Sequence, residues 1–271
     1  MTAFWGVSFV IVKDALDEAD PFSFLCLRFL VAAAACIAIS RGALLDRALW
    51  RPGAWLGLFL FGGFLFQTWG LATTTPSRSA FLTSLFVVFV PIVELAMFRK
   101  APARSALAGS ALAICGTYLL SGASFGGGLS KGDWLTVLCA ISYAVQIVLT
   151  GHWAKSLAPV PLTSVEIIVV AGLACIAGAL GEQRVVFSTG FVSAVVAMGL
   201  ISTAAGIIVQ TWAQRRTAAL RVALIIALEP VFATAWSLWR GREAFDPRGV
   251  AGGALILCGV VVAEALKPKE P

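Results

Sequence analysis

Apolar runs, most of them about the length needed to cross a bilayer, fill almost the whole chain, with only short polar breaks between them. They fall at residues 2–16, 21–40, 54–73, 76–98, 104–121, 132–153, 161–180, 190–213, 217–239 and 247–266. A hydrocarbon core about 30 Å thick takes roughly 20 helical residues. Of the 271 residues, 59% are hydrophobic and only 13% charged, against about 25% charged in a soluble domain. A soluble fold of this composition could not cover its own surface. The sequence therefore describes an all-α integral membrane protein with ten transmembrane helices. The lipid bilayer is its first partner.

The breaks carry Pro, Gly and charge, as in "FRKAPAR", "KSLAPVP" and "RGREAFDP". None is long enough to hold a separate soluble domain. The net charge of +6 sits in these breaks, the pattern of loops facing a cytoplasm and an anionic leaflet rather than a nucleic acid. All six cysteines lie within apolar runs without CxxC spacing, and His152 is the only histidine. Neither a metal site nor a cofactor motif is present. The N-terminus has no basic stretch and no small-residue cleavage site of a secretory signal.

The chain repeats itself. Gln67-Thr68-Trp69 recurs as Gln210-Thr211-Trp212 after 143 residues. The same ungapped shift pairs Arg78 with Arg221, Leu85 with Leu228, Phe89 with Phe232, Gly109 with Gly252 and Cys115-Gly116 with Cys258-Gly259. About a third of positions 63–116 are identical across it. "PFSF" at 21 matches "PLTS" at 161, and Trp5 pairs roughly with Tyr143, at slightly different shifts. Two five-helix repeats follow, at 1–122 and 131–267. Five is odd, so the second repeat enters the membrane from the opposite side, as in many secondary transporters.

Lys and Arg set the orientation. With the N-terminus inside, the inner connections carry Arg41, Arg47, Arg51, Arg99, Lys100, Arg104, Lys155, Arg215 and Arg216, and the tail adds Lys267 and Lys269. The outer ones carry fewer, although Arg240, Arg242 and Arg248 run against the rule. Both termini are expected inside. The first span is short: only Thr2 to Val12 precede Lys13. The repeat places about ten residues of span before Tyr143 but only four before Trp5. The first helix is therefore expected to lack its native N-terminal residues.

"FWGVSFVIVK" (4–13), "PFSFLCLRF" (21–29), "SRSAFLTSLFVVFVP" (77–91), "ALEPVFA" (227–233) and "GVAGGALILCGV" (249–260) together resemble the EamA-like family of the drug/metabolite transporter superfamily. The likeness spans essentially the whole chain. It implies a ten-helix inner-membrane carrier, with efflux of amino acids or other metabolites as the common activity. The family's second-helix Arg corresponds to Arg28 and its Glu-Pro to Glu229-Pro230.

Ionisable residues inside a membrane cost at least about 2.5–3.5 kcal/mol when unpaired and exposed to lipid. Five are candidates for function. Glu264 is near a helix end and can snorkel. Glu166 is shallow enough to face the interface. Glu94 can pair with Arg99. Arg28 and Glu229 lie deeper. Arg28 either ties helices together or receives an anionic group of the substrate. Three roles compete for Glu229: a structural hydrogen bond, a proton-coupling carboxylate, or a group that binds a cationic amine. Pro230 removes a donor and clashes with the carbonyl of Ile226. Its counterpart is Val87, and Pro91 follows one turn later, so Pro91 and Pro230 are the hinge candidates. Polar and aromatic residues at mid-depth complete a cavity: Trp5, Ser8, Gln67, Thr83, Tyr143, Gln146, Gln210 and Trp236. Such a lining suits a small amphipathic solute. The expected activity is secondary transport of a small-molecule substrate, with protons a candidate coupling ion. A non-transporting assembly subunit and a membrane-embedded enzyme are the alternatives, and the oligomeric state stays open.

Overall fold

The computed structural model describes residues 1–74, 76–121, 129–181, 184–239 and 247–265. Arg240, Arg242, Lys267, Lys269 and the Glu264 side chain lie outside the described residues. Among those described, the chain is helical throughout, with one isolated β-bridge between Ala19 and Val185.

Thirteen α-helices follow one another among the described residues. In the first half they are α1 (Thr2–Ala15), α2 (Pro21–Ser40), α3 (Trp50–Thr73), α4 (Pro76–Ser84), α5 (Phe86–Phe98) and α6 (Arg104–Ser121). In the second they are α7 (Lys131–Trp153), α8 (Pro159–Leu180), α9 (Thr189–Ala197), α10 (Gly206–Gln214), α11 (Ala219–Ile226), α12 (Glu229–Trp239) and α13 (Pro247–Ala265). Local chemistry sets several starts. Asp20 caps α2 by accepting from the backbone N–H groups of Phe22 and Ser23, with Pro21 at the first turn, where a missing donor costs nothing. Ser130 and Asp133 form a reciprocal capping box at the start of α7.

Among the described residues, seven helical stretches are long and apolar enough to cross a membrane: 21–45, 47–73, 78–98, 131–153, 159–180, 189–214 and 219–236. Two shorter apolar helices, 104–120 and 247–263, accompany them. Their outward faces are apolar: Leu180 is 84% exposed, Ile176 61% and Val261 61%. So much unpartnered apolar surface belongs in lipid, and the protein is a multi-pass membrane protein.

Three features differ from the expectation. Helix α3 starts at Trp50 rather than 54, led in by 3₁₀ turns at Arg41–Leu45 and Arg47–Leu49. The run at 190–213 is not one regular helix; a π-helical segment, Met198–Ala205, separates α9 from α10. The break in the first half lies at Leu85, ahead of Pro91, and α5 runs on through that proline. Leu85 N–H reaches back three residues to Leu82 O (3.3 Å), and Val88 and Phe89 N–H groups bond Leu85 O (2.9 and 3.2 Å). The second half has the same turn at Leu228, which bonds Ile225 O (3.2 Å) and accepts from Val231 and Phe232 (3.0 and 3.3 Å). Every one of these residues is its counterpart's partner at the shift of 143. The two breaks therefore coincide at equivalent leucines, while their prolines do not.

Small residues bring the helices together. Helix α6 packs on α13, where a Cβ on Gly116 would meet Gly252 O and one on Gly109 would meet Gly259 O, each at 2.5 Å. Helix α2 packs on α8, α3 on α7 and α8, and α1 on α12. Gly6 lets α1 press against the backbone of Glu229 and Ala233.

Candidate functional site

A cavity lies where α1, α2, α3, α4, α5, α7, α10, α11 and α12 meet. Nine expected site residues line it: Trp5, Ser8, Arg28, Gln67, Thr83, Tyr143, Gln146, Gln210 and Glu229. The other lining residues are Phe9, Leu60, Phe64, Phe86, Ile147, Ser202, Ile207 and Ile226. Its volume is about 60 Å³, room for a few waters rather than a metabolite.

The lining follows the repeat. The shift of 143 pairs Phe64 with Ile207, Gln67 with Gln210, Thr83 with Ile226 and Phe86 with Glu229. A shift of 138 pairs Trp5 with Tyr143, Ser8 with Gln146 and Phe9 with Ile147. Only Arg28, Leu60 and Ser202 fall outside these pairs. The cavity thus draws on equivalent positions of both halves, and its charges are the asymmetric part.

Arg28 is 2% exposed. Its Nε donates to Thr203 Oγ1 (2.8 Å) and its Nη2 to Ser202 Oγ (3.1 Å), both in the π-helical segment. Its guanidinium lies 4.6 Å from the Phe64 ring centroid, within cation–π range. Gly199 admits α2 to this segment, since a Cβ there would meet Arg28 O at 2.8 Å. Glu229 opens α12 directly after the Leu228 turn. Among the described residues its carboxylate accepts no hydrogen bond, and neither it nor Arg28 makes an ion pair. The structural hydrogen bond considered for Glu229 is therefore not made.

Tyr143 bridges the two sides. Its hydroxyl donates to Gln67 Oε1 (3.4 Å), Gln67 Nε2 reaches Thr83 Oγ1 (3.4 Å), and its ring meets Phe64 edge-on. At Gly63 a Cβ would collide with this ring. Gln210 Nε2 donates to Gln146 Oε1 (3.1 Å) and to Gln214 Oε1 (3.2 Å). Trp5 Nε1 donates to Ser202 O (2.8 Å), tying α1 to the π-helical segment.

The sequence model of the EamA-like transporter family matches residues 1–122 and 130–264. The chain belongs to the EamA-like transporter family. It is 29% identical over 260 residues to an uncharacterized transporter of Archaeoglobus fulgidus, covering 95% of this chain and 81% of that one. It is 24% identical over 275 residues to the uncharacterized transporter YcxC of Bacillus subtilis, covering 94% and 88%. A solved crystal structure superposes with a TM-score of 0.82 at 21% identity, covering 98% of this chain and 94% of that chain, a likeness of fold.

Three expectations about side chains in this EamA-like protein are corrected. Trp236 does not line the cavity. It faces a separate surface groove with Ala3, Val7, Phe232 and Trp239. Seven residues of helix carry it about 10 Å beyond Glu229. Glu166 does not face the interface; it is completely buried. Glu94 makes no ion pair with Arg99 among the described residues, and it feels Lys100 and Lys155 instead. The described ion pair within the helices is Arg78 with Asp133, at 2.6 Å. Ser202 and Phe86 were missed as lining residues. Applying the repeat shift to Glu229 would have found Phe86; Ser202 has no such signal.

Proposed function

We propose that the protein is a secondary carrier of small zwitterionic metabolites, amino acids or related amphipathic compounds. It works by alternating access of two inverted five-helix halves, 1–122 and 131–267, about the central cavity. The observation that carries this is the pairing of the lining residues across the repeat, broken by two ionisable side chains, Arg28 and Glu229, that make no ion pair among the described residues. Arg28 supplies a fork of donors for a carboxylate, and Glu229 an acceptor for an ammonium group. Tyr143, Trp5 and Phe64 supply the apolar and aromatic wall. The cavity is too small to hold such a solute in this conformation, so admission requires the helices to part. The matched turns at Leu85 and Leu228, with Pro91 and Pro230 beside them, are the flexible elements. Export across the inner (plasma) membrane is the direction that fits the family resemblance, and the Lys/Arg bias fits both termini inside. No cofactor or metal takes part.

A thermal-stability screen of purified protein against amino acids, amines, purines and sugars tests this, followed by counterflow in proteoliposomes. Amino acids are expected to stabilise and to exchange. A protein that binds none of these and carries no flux would fit an assembly subunit instead.

A further inference from the structure

Glu166 is a second acid within the membrane, and the cavity does not use it. It lies on α8 seven residues after Pro159, about 10 Å along the helix. Its side chain is wholly buried. Oε1 accepts from Gln146 Nε2 at 2.8 Å, while Oε2 has no partner.

No cation faces this carboxyl among the described residues. Helix α2 brings the Cys36 thiol, which interacts electrostatically with it. Helix α7 brings Gln146 and Thr150, whose hydroxyl receives the other hydrogen bond of Gln146 Nε2 (3.1 Å). Helix α10 carries Gln210, Thr211 and Gln214, all uncharged. Helix α3 presents Gly53 and Gly57, where a Cβ would collide with Val165 or with Glu166 O and Val169. This close approach packs the α8 backbone at Glu166 onto α3. Arg41 and Arg47, between α2 and α3, and Arg51, at the start of α3, are exposed.

A carboxylate ion here would be a buried charge with one hydrogen bond and no counter-ion, at a cost of several kcal/mol. A carboxylic acid avoids that cost, whereas Glu229 borders the cavity, where water can solvate a charge. We infer that Glu166 is a proton-binding site, occupied in this conformation and joined to the cavity through Gln146. Gln146 lines the cavity, accepts from Gln210 and donates to Glu166. Glu166 itself does not line it. A solute therefore cannot touch Glu166, while it can compete for the amide that holds Glu166. Arg28 and Glu229 serve the solute, and Glu166 serves the proton. When α3 parts from α8, water reaches Glu166, takes its proton and leaves the carboxylate. Linkage is reciprocal: whatever factor the solute imposes on proton affinity, the proton imposes on solute affinity. Only this coupling step rests on the carrier reading; proton occupancy does not.

Infrared spectroscopy of the full chain in lipid nanodiscs tests the site, by the C=O stretching band of protonated carboxyl groups. A component of that band at neutral pH is expected to vanish in Glu166→Gln and to persist in Glu229→Gln. Should Glu166→Gln fail to fold, Glu166→Asp is expected to move the component. A band that neither Glu166 substitution alters overturns the inference. Proteoliposome flux separates it from the carrier reading. Wild-type flux without the Glu166 component sinks this inference alone, and the component without flux sinks the carrier reading alone. With flux present, Glu166→Gln is expected to keep solute exchange and lose accumulation driven by a pH gradient.

Discussion

Pro230→Ala tests what breaks the helix in front of Glu229. Pro230 is the second residue of α12, where a backbone N–H would have no intrahelical partner. The turn that precedes it, centred on Leu228, recurs at Leu85 with the same hydrogen bonds. There the following proline is four residues further on, at Pro91, inside α5. If the turn belongs to the repeat rather than to the proline, alanine removes only the rigidity that proline gives the unfolded chain. The loss is then about 0.4–1 kcal/mol. If the proline forces the break, alanine restores a continuous helix and recovers about 3 kcal/mol. The two accounts differ in sign. Thermal unfolding of purified protein gives the sign, and the distance between spin labels at positions 225 and 235 gives the shape. A small fall in melting temperature with an unchanged distance is expected. A rise in melting temperature together with a longer distance would refute the reasoning.

Asp133→Ala removes the carboxylate partner of Arg78, half of the capping box of α7 and a contact to Thr74 Oγ1. A loss of about 1.5–3 kcal/mol is expected, read as a fall in melting temperature. Gly116→Val places a side chain against Gly252 O and Ile256; overpacking of about 1–3 kcal/mol is expected, and unchanged unfolding would contradict the α6–α13 contact. Thr203→Val removes the acceptor of Arg28 Nε at nearly constant shape, with about 1.5–3 kcal/mol at stake. Ligand affinity should fall along with stability, since Arg28 loses its orientation. Trp236→Ala should leave ligand affinity unchanged, because Trp236 lies outside the cavity.

The repeat made much of the cavity legible. Gln67 and Gln210 stand at equivalent positions in an ungapped match, and both line the cavity. Trp5 and Tyr143 follow the same logic. Depth was legible as well, because span length fixes how far Arg28 and Glu229 lie from water. Facing was not. Glu166 lies one third of the way along α8, and counting residues cannot tell whether that face meets lipid or a neighbour. Gln146 of α7 decides it, by a hydrogen bond distant in sequence. The π-helical segment 198–205, "MGLISTAA", has no compositional signature; its register is set by Arg28 and Trp5 reaching Ser202 and Thr203. Prolines drew attention to Pro91, whereas the break forms six residues earlier, at a leucine that no propensity marks.

The central claim is that Arg28 and Glu229 together recognise a zwitterion. Its most direct measurement compares the affinity of purified protein for an amino acid and for its analogue lacking the amine, in wild type and in Glu229→Gln. The amino acid is taken from the hits of the stability screen. Wild type is expected to favour the amino acid, and Glu229→Gln to lose that preference while still binding the carboxylate through Arg28. Equal preference in the two proteins, or binding of the amino acid that survives Arg28→Met unchanged, would contradict the account.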